Sequence, residues 1–374
     1  MPFASSRRRV GLVVPFVLAV AASAQKPIAD LADLLAPIRE KHGVPALGVA
    51  VIVDGELAAL GVTGVRKHGE PAKVTVDDRW HLGSCTKAMT ATLLAMQVEA
   101  GELAWTTTVE KGLPDLAAKM HADAKAITLQ QLLQHRAGLP GGPPDELWAR
   151  LFGYKGTDVE ARTEVAATML GVAPQAKLGE RFVYSNAGYM IAGAIAERIG
   201  KKPWAELLQE KLFAPLGITS AGFGTPGNEK TTEQPWGHEP GEKGPTPSFG
   251  DNPPSLGPAG TAHMSLRDWA KFAALHLGVP AANGKLLLKP ESLAALHEKP
   301  AKGDYALGWA VMKRGWAKGP ILSHSGSNTV WFCVAWLAPD AKFGVLVTCN
   351  QGEADQACDE VAAACIGRFA PKTK

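Results

Sequence analysis

Strand-type patterns stand at the two ends of this chain and helical patterns fill its middle, and this distribution constrains the fold strongly. Residues 46–53 and 57–65 are apolar, β-branched runs separated by Asp54-Gly55, which is a hairpin signal. Short strand patterns return near the other end, at residues 309–312, 321–324, 330–337 and 343–348. Because a lone hairpin is marginally stable, the simplest arrangement that buries both sets is one antiparallel sheet closed by the first and last segments.

Apolar residues at helical spacing predict a helix at each end of the chain, over residues 28–41 and 354–368. The same spacing predicts a run of central helices, at residues 86–100, 128–135, 159–170, 187–199, 203–213, 265–277 and 290–298. We therefore predict an α+β fold: an antiparallel sheet from both chain ends, flanked by helices, with an inserted, mostly helical lobe. The approximate bounds are 28–85 and 302–368 for the α/β lobe and 86–301 for the helical lobe. Two independent domains, one strand-rich and one helix-rich, are the alternative.

The first 24 residues have the pattern of a secretory signal peptide: three arginines (7–9), an apolar run over residues 10–20 and the small-residue end Ala22-Ser23-Ala24. We expect cleavage near Ala24 and a periplasmic or extracellular domain over residues 25–374. The general and the twin-arginine export routes both stay open. The apolar run is shorter than the roughly 20 residues of a membrane span, and no later stretch is long enough, so we expect no span in the mature chain.

Charge and cysteine content limit the kinds of partner, metal site and disulfide that we expect for this chain. The signal segment holds three of the 39 basic residues and none of the 36 acidic ones, so the remaining charges balance. Nucleic acids and anionic surfaces need a basic excess, which leaves a small molecule or short peptide as the expected partner. No Cys-x-x-Cys or His-Glu-x-x-His occurs, so neither a metal site nor a cofactor is expected. Cys333 with Cys349, on adjacent predicted strands, is the one disulfide pair considered.

Ser84-Cys85-Thr86-Lys87 is the first motif with chemical content. Ser84 follows a short strand-like segment (79–82) and opens an apolar helix, so Lys87 lies on the same helix face three residues later. The backbone N–H of Ser84 is one of the unpaired donors at the helix start. The segment thus offers a nucleophile, a base and half an oxyanion hole. A capping Ser with a solvated Lys is the alternative, and the accidental Ser-x-x-Lys at residues 23–26 shows that the spacing alone is not specific.

A second motif, Tyr184-Ser185-Asn186, precedes the predicted helix 187–199. A phenol can relay a proton to a leaving group, so Tyr184 is a candidate catalytic residue. The amide of Asn186 offers a donor and an acceptor to a substrate. A packed tyrosine and a helix-capping asparagine are the alternative interpretation.

A third motif, His324-Ser325-Gly326-Ser327, ends a predicted strand. Its four residues are candidate substrate-binding positions: a glycine at a strand edge lets a substrate backbone come close, and the N–H of Ser327 would complete the oxyanion hole. A structural histidine at a strand end is the alternative. Residues 223–261 form a Gly- and Pro-rich stretch without periodicity, and a loop of that length is usually functional or disordered.

In this order, the three motifs resemble those of the serine β-lactamase and penicillin-binding-protein superfamily, over roughly residues 30–365. The resemblance is closest to the class C branch with its esterase and peptidase relatives. Further matches are residues 132–139, Pro258-Ala259-Gly260 and Leu307-Gly308-Trp309. The resemblance implies a mixed lobe built from both termini, a helical lobe, and an active site between them.

His324 departs from class C β-lactamases, which carry a lysine at this position. A histidine is largely neutral near pH 7, so the fixed charge that holds a substrate carboxylate is absent. We therefore expect an acyl-enzyme on Ser84 that cleaves esters or amides of small acyl or D-amino-acid compounds. A β-lactamase or D,D-peptidase is the alternative enzyme, and a penicillin-binding sensor that turns over poorly is the non-enzymatic one.

Overall fold

The computed structural model describes residues 27–372, so the predicted signal peptide over residues 1–24 lies outside the described residues. The strands are β1 Ala29–Asp30, β2 Ala46–Val53, β3 Glu56–Gly64, β4 Arg79–His81, β5 Gly222–Phe223, β6 Gly237–Glu239, β7 Thr246–Ser248, β8 Ala262–Ser265, β9 Ala310–Met312, β10 Ile321–Ser327, β11 Phe332–Ala338 and β12 Phe343–Cys349. The α-helices are α1 Ala32–His42, α2 Thr86–Glu99, α3 Val109–Gly112, α4 Leu129–Leu133, α5 Asp145–Leu151, α6 Asp158–Leu170, α7 Asn186–Gly200, α8 Trp204–Leu208, α9 Ala214–Leu216, α10 Gly257–Gly260, α11 Leu266–His276, α12 Pro290–His297 and α13 Asp355–Phe369.

The main sheet joins the two ends of the chain. Its strand order is β1-β3-β2-β12-β11-β10-β9, and every neighbouring pair is antiparallel except β1 with β3. Strands β2 and β12 pair at its centre, with Val49 opposite Val347. The prediction of an α+β fold, with an antiparallel sheet built from both chain ends, is confirmed.

Helices cover both faces of this sheet, and successive side chains of β2 point alternately into the two cores that result. Val49 and Val51 belong to the core beneath α1 and α13, whereas Ala50 and Ile52 face the core shared with the helical lobe. Helix α11 lies on this second face and contacts β2, β3 and β12. The predicted bounds of the helical lobe, 86–301, include this helix, whereas the structure packs it on the sheet. The periodicity marked an apolar helix face correctly, but it could not say which surface covers that face.

A second, three-stranded sheet, β4-β8-β5, holds the segment before Ser84. His81, the last residue of β4, pairs with His263 of β8. The strand-like character of residues 79–82 was predicted, whereas β5 and β8 were missed because runs of two and four residues carry no readable alternation. The Gly- and Pro-rich stretch 223–261 contains the two-stranded β6-β7 ribbon and all of α10.

Cys333 and Cys349, the one disulfide pair considered, are not bonded: both cysteines are free and buried. Cys333 lies opposite Thr348, and Cys349 lies opposite Phe332, so the two thiols point to opposite faces of the sheet. The Cys333 thiol instead lies 3.6 Å from the Cys85 sulfur. Within residues 27–372, no helix is long and apolar enough to cross a membrane, and no group of three or more His, Cys, Asp or Glu side chains could hold a metal ion.

Candidate active site

Ser84 lies in a 3₁₀ turn, Gly83–Cys85, between strand β4 and helix α2. The backbone of Gly83 has a φ of +46°, and a Cβ there would lie 2.3 Å from the backbone nitrogen of Ser327. Glycine is therefore required at this turn for both its conformation and its small size. The tight approach sets half-buried Ser84 directly against the end of strand β10.

Lys87 points from the first turn of α2 toward Ser84 and is fully buried. Its Nζ atom lies 2.9 Å from Ser84 Oγ, 2.7 Å from Asn186 Oδ1 and 2.7 Å from the carbonyl oxygen of Ala259. These three partners are uncharged. Burial therefore lowers the pKa of Lys87 well below its usual value, an effect that the nearby Cys85 thiol partly opposes.

The contacts of Lys87 direct its amine at Ser84. Asn186 Oδ1 and the Ala259 carbonyl can only accept, so they take the two N–H groups that a neutral lysine offers. The amine lone pair then faces the Ser84 hydroxyl. When the amine is neutral, the form that its lowered pKa favours, its lone pair thus points in the direction that a general base requires.

Tyr184 completes the contacts of the nucleophile, since its hydroxyl donates to Ser84 Oγ over 2.7 Å. Burial raises the pKa of Tyr184 to about 12, although the hydrogen bond to Ser84 acts in the opposite direction. The phenol is therefore neutral at physiological pH. It is 38% exposed, which leaves part of the ring open to a substrate.

Ser185 holds Tyr184 and Asn186 in place as the N-cap of helix α7. Its hydroxyl accepts from Gly188 N–H over 3.1 Å and donates to the Pro140 carbonyl. Asn186 is the first residue of the helix, so a rigid element carries its amide. The predicted grouping of Ser84, Lys87, Tyr184 and Asn186 in one place is what the structure shows.

The third motif reaches the same place along strand β10. Ser325 and Ser327 are exposed there, whereas Gly326 is buried between them. A Cβ at Gly326 would lie 2.0 Å from the Leu82 carbonyl oxygen. Glycine is therefore required at this position because the strand packs closely against the turn that carries Ser84. The predicted close approach of a substrate is not the reason.

His324 faces away from open solvent and is 8% exposed. Its Nδ1 lies 2.5 Å from the Ser325 carbonyl, and its Nε2 lies 2.8 Å from the Tyr305 hydroxyl. Since a carbonyl only accepts, Nδ1 carries the proton and donates, and Nε2 accepts from Tyr305. Both ring nitrogens of His324 are thus occupied by protein groups.

Tyr305 belongs to an aromatic cluster beside Ser84 that the sequence analysis missed. The His135 ring lies 4.3 Å from the Tyr184 ring, 4.7 Å from Tyr305 and 5.2 Å from Tyr189, and Phe182 stands at the rim. The His135 Nδ1 accepts from Ser185 N–H over 3.0 Å. Two of the further family matches in the sequence pointed toward this cluster. His135 lies within residues 132–139, and Tyr305 stands just before Leu307-Gly308-Trp309.

Comparison with known proteins agrees with this geometry. The Beta-lactamase family model matches residues 31–366. Penicillin-binding protein 4 of Amycolatopsis lactamdurans is 29% identical over 350 residues, which cover 89% of this chain and 88% of that protein. Among solved structures, a class C β-lactamase from Rhodobacter sphaeroides has a TM-score of 0.72 at 23% identity, covering 91% of this chain and 99% of that one.

A D-amino acid amidase from Ochrobactrum anthropi SV3 has a TM-score of 0.71 at 22% identity, covering 90% of this chain and 98% of that one. At these identities the two solved structures establish the shared fold, and the family model covers most of the chain. The chain therefore belongs to the Beta-lactamase family and is a serine hydrolase related to the penicillin-binding proteins.

Proposed function

We propose that this protein is an exported hydrolase that forms an acyl-enzyme on Ser84 and cleaves esters or amides of small, uncharged acyl groups. One observation carries the proposal. Ser84 Oγ lies between a buried amine, Lys87 Nζ at 2.9 Å, and a neutral phenol, Tyr184 OH at 2.7 Å. A hydroxyl in contact with both a base and an acid is equipped for attack and for departure of the leaving group.

Acylation uses these contacts in sequence. Lys87 takes the Ser84 proton while Oγ bonds to the acyl carbon, and the carbonyl electron pair moves onto oxygen. The N–H groups of Ser84 and Ser327 are the candidate donors to that oxyanion. Tyr184 then gives its proton to the departing oxygen or nitrogen and recovers one from Lys87. Water repeats the same steps in reverse, which releases the acid and free Ser84.

The state of His324 supports the choice of substrate. Its two nitrogens bond to Ser325 and Tyr305, so neither nitrogen is free to bind a substrate carboxylate. β-Lactams and D-alanyl peptides carry such a carboxylate, whereas simple esters and amides do not. The substrate class favoured is therefore uncharged at the position that His324 faces.

Penicillin recognition is the second candidate, because the relative from Amycolatopsis lactamdurans is named a penicillin-binding protein. A substrate panel with purified residues 25–374 separates the two. We expect p-nitrophenyl acetate and butyrate to be cleaved with a higher kcat/KM than nitrocefin, and both activities to be lost in Ser84→Ala. Ser292→Ala, on helix α12, is the matched control. Faster turnover of nitrocefin would favour a β-lactamase, and the absence of a fluorophosphonate adduct on Ser84 would refute the acyl-enzyme.

Export is part of the proposal and has its own test. The full chain, expressed in a bacterial host, should appear in the periplasm or medium with Gln25 as its first residue. Retention in the cytoplasm with residues 1–24 intact would contradict it. Replacement of Arg7 and Arg8 by lysine would block export only on the twin-arginine route.

A further inference from the structure

Asp251 lies in the segment between β7 and α10 and forms hydrogen bonds to residues beside two of the three motifs. Its Oδ2 lies 3.0 Å from His81 Nε2, three residues before Ser84. Its Oδ1 accepts from Asn328 Nδ2 over 2.9 Å, and Asn328 directly follows Ser327. One carboxylate therefore links the segment before the nucleophile to the segment after the third motif.

His81 transmits this contact to the backbone of the turn. The Gly83 N–H donates to His81 Nδ1 over 3.1 Å, so Nδ1 must carry the lone pair. The ring proton then sits on Nε2 and is donated to Asp251. The carboxylate thus selects the tautomer of His81 that can hold Gly83 in its left-handed conformation.

Both ends of this chain of contacts are tightly enclosed. The His81 side chain is fully buried, and the Asp251 side chain is 10% exposed. Burial alone would oppose ionisation of Asp251, but His81 and the N–H donors of Asn328 and Asn252 hold the pKa of the carboxyl below its usual value. The carboxylate is therefore charged and fully engaged within the protein.

The two backbone segments that Asp251 braces are the ones that touch each other beside Ser84. Gly83 packs against the nitrogen of Ser327, and Gly326 packs against the Leu82 carbonyl. The backbone N–H groups of Ser84 and Ser327, on these two segments, are the candidate donors to the oxyanion.

We propose that Asp251, acting through His81 on one side and Asn328 on the other, fixes the relative position of the Ser84 and Ser327 N–H groups. His81 and Asp251 are then positioning residues for the tetrahedral intermediate. This inference rests on the proposed acyl-enzyme function, and it gives the segment 223–261 a role in catalysis that its composition did not reveal.

The test begins with Asp251→Asn, which keeps the shape of the side chain. An amide that turns its N–H toward His81 forces the other tautomer, whose Nδ1–H cannot accept from Gly83. We expect kcat on p-nitrophenyl butyrate to fall by about 10²-fold, the usual cost of a displaced oxyanion donor. KM should change less than about threefold, because the ground-state ester does not use those donors.

Two variants of His81 separate the links. His81→Asn retains a short amide that can accept from Gly83 but does not reach Asp251, whereas His81→Gln reaches Asp251 but leaves Gly83 without its acceptor. The positioning role requires both links, so each variant should lose kcat. Asp251→Glu should recover part of the loss of Asp251→Asn. If Asp251→Asn fails to fold, the His81 pair decides.

Asp268→Asn is the matched control, since Asp268 is another buried carboxylate that accepts backbone N–H groups, from Thr219 and Ser220, away from Ser84. It should lose stability but keep kcat. A boronic acid that forms a tetrahedral adduct on Ser84 should bind Asp251→Asn about 10²-fold more weakly. The inference would be overturned if Asp251→Asn kept the wild-type kcat, if it only raised KM, or if Asp268→Asn lost as much kcat.

The wild-type enzyme and Ser84→Ala are measured in the same experiment. If the wild type hydrolyses neither esters nor amides, the proposed function fails. The rate of fluorophosphonate labelling of Ser84 then still tests the positioning role, because the phosphoryl oxygen uses the same N–H donors. Slower labelling in Asp251→Asn than in Asp268→Asn would support the role, and equal labelling would refute it.

Discussion

The Nζ atom of Lys87 lies 2.7 Å from Oδ1 of Asn186, although 99 positions of sequence separate the two residues. Together with the carbonyl of Ala259, this contact occupies two N–H groups of the amine and directs its lone pair to Ser84. The arrangement works only while the amine is neutral. Burial provides for this by lowering the pKa of Lys87 well below its usual value.

Substitution Lys87→Arg should abolish this function while keeping a long basic side chain. A guanidinium stays protonated at every accessible pH, so Ser84 loses its base and kcat should fall by about 10²- to 10⁴-fold. Stopped-flow acylation by p-nitrophenyl acetate measures the effect. Lys202→Arg, in an exposed pair with Glu210, is the control and should keep full activity. An active Lys87→Arg enzyme would exclude Lys87 as the base.

The same lysine should make stability depend on pH. Burial lowers the pKa of folded Lys87 well below its unfolded value of about 10.4, so the unfolded chain binds up to one more proton between the folded and the unfolded pKa. The free energy of unfolding of the wild type, relative to Lys87→Met, should therefore rise with pH in this window. The expected slope is at most about 1.4 kcal/mol per pH unit. Urea denaturation of both proteins between pH 7 and 10 measures it, and a flat difference would mean that folded Lys87 keeps its proton.

Tyr184→Phe removes the donor to Ser84 Oγ and leaves the ring in place. Because the pKa of Tyr184 is raised to about 12, the phenol acts as a neutral acid, and kcat should fall by about 10²- to 10⁴-fold. The wild-type profile of kcat/KM should show no alkaline limb below about pH 10, well under that pKa. An acid limb near neutral pH, with activity rising as a proton is lost, that disappears in Tyr184→Phe would show that the phenolate is the active form.

Much of this fold was accessible from the sequence because it depends on local patterns. The apolar, β-branched runs of β2 and β3, the turn Asp54-Gly55 and the repeated strand patterns near the other end were enough to predict one sheet from both ends. The position of α11 was not accessible, since an amphipathic helix such as 266–276 shows that it has an apolar face without showing which surface covers that face.

The candidate site divides in a similar way. Ser84, Lys87 and Tyr184 stand in short contiguous motifs, and the structure brings them within hydrogen-bond distance. Asp251 and His81 do not stand in such motifs. They are 170 positions apart, and nothing in the sequence around either residue indicates their contact. The prediction that His324 meets a substrate rested on its place in a motif. Its actual partner, Tyr305, depends on how β10 packs against the segment that precedes β9.

His324→Lys should shift activity toward carboxylate-bearing substrates. A lysine adds a fixed positive charge at this position, so kcat/KM for nitrocefin should rise by about tenfold, the gain expected of a single charged hydrogen bond of roughly 1.5 kcal/mol. Activity on p-nitrophenyl butyrate should not rise with it. His324→Gln, which adds no charge, is the control and should show no gain. If both variants gain equally, pocket size rather than charge limits the wild type.

The buried pair of Arg162 and Glu197 should be a main determinant of stability in the helical lobe. Their side chains are 2% and 3% exposed, Arg162 Nε donates to Glu197 Oε2 over 3.1 Å, and the Trp204 N–H donates to Glu197 Oε1 over 2.8 Å. Glu197→Gln leaves the guanidinium buried without its counter-charge, so we expect a loss of about 3–5 kcal/mol in the free energy of unfolding.

Removal of both charges should cost less than removal of one. In Arg162→Met with Glu197→Gln, no unpaired charge remains, and the Gln oxygen still accepts from Trp204. Urea denaturation of the two single variants and the double variant, analysed as a cycle, measures this coupling. The folded proteins should keep their kcat, because neither residue contacts Ser84, Lys87 or Tyr184. If the two single losses simply add in the double variant, the pair is not coupled, and the stability of the lobe rests on its apolar contacts alone.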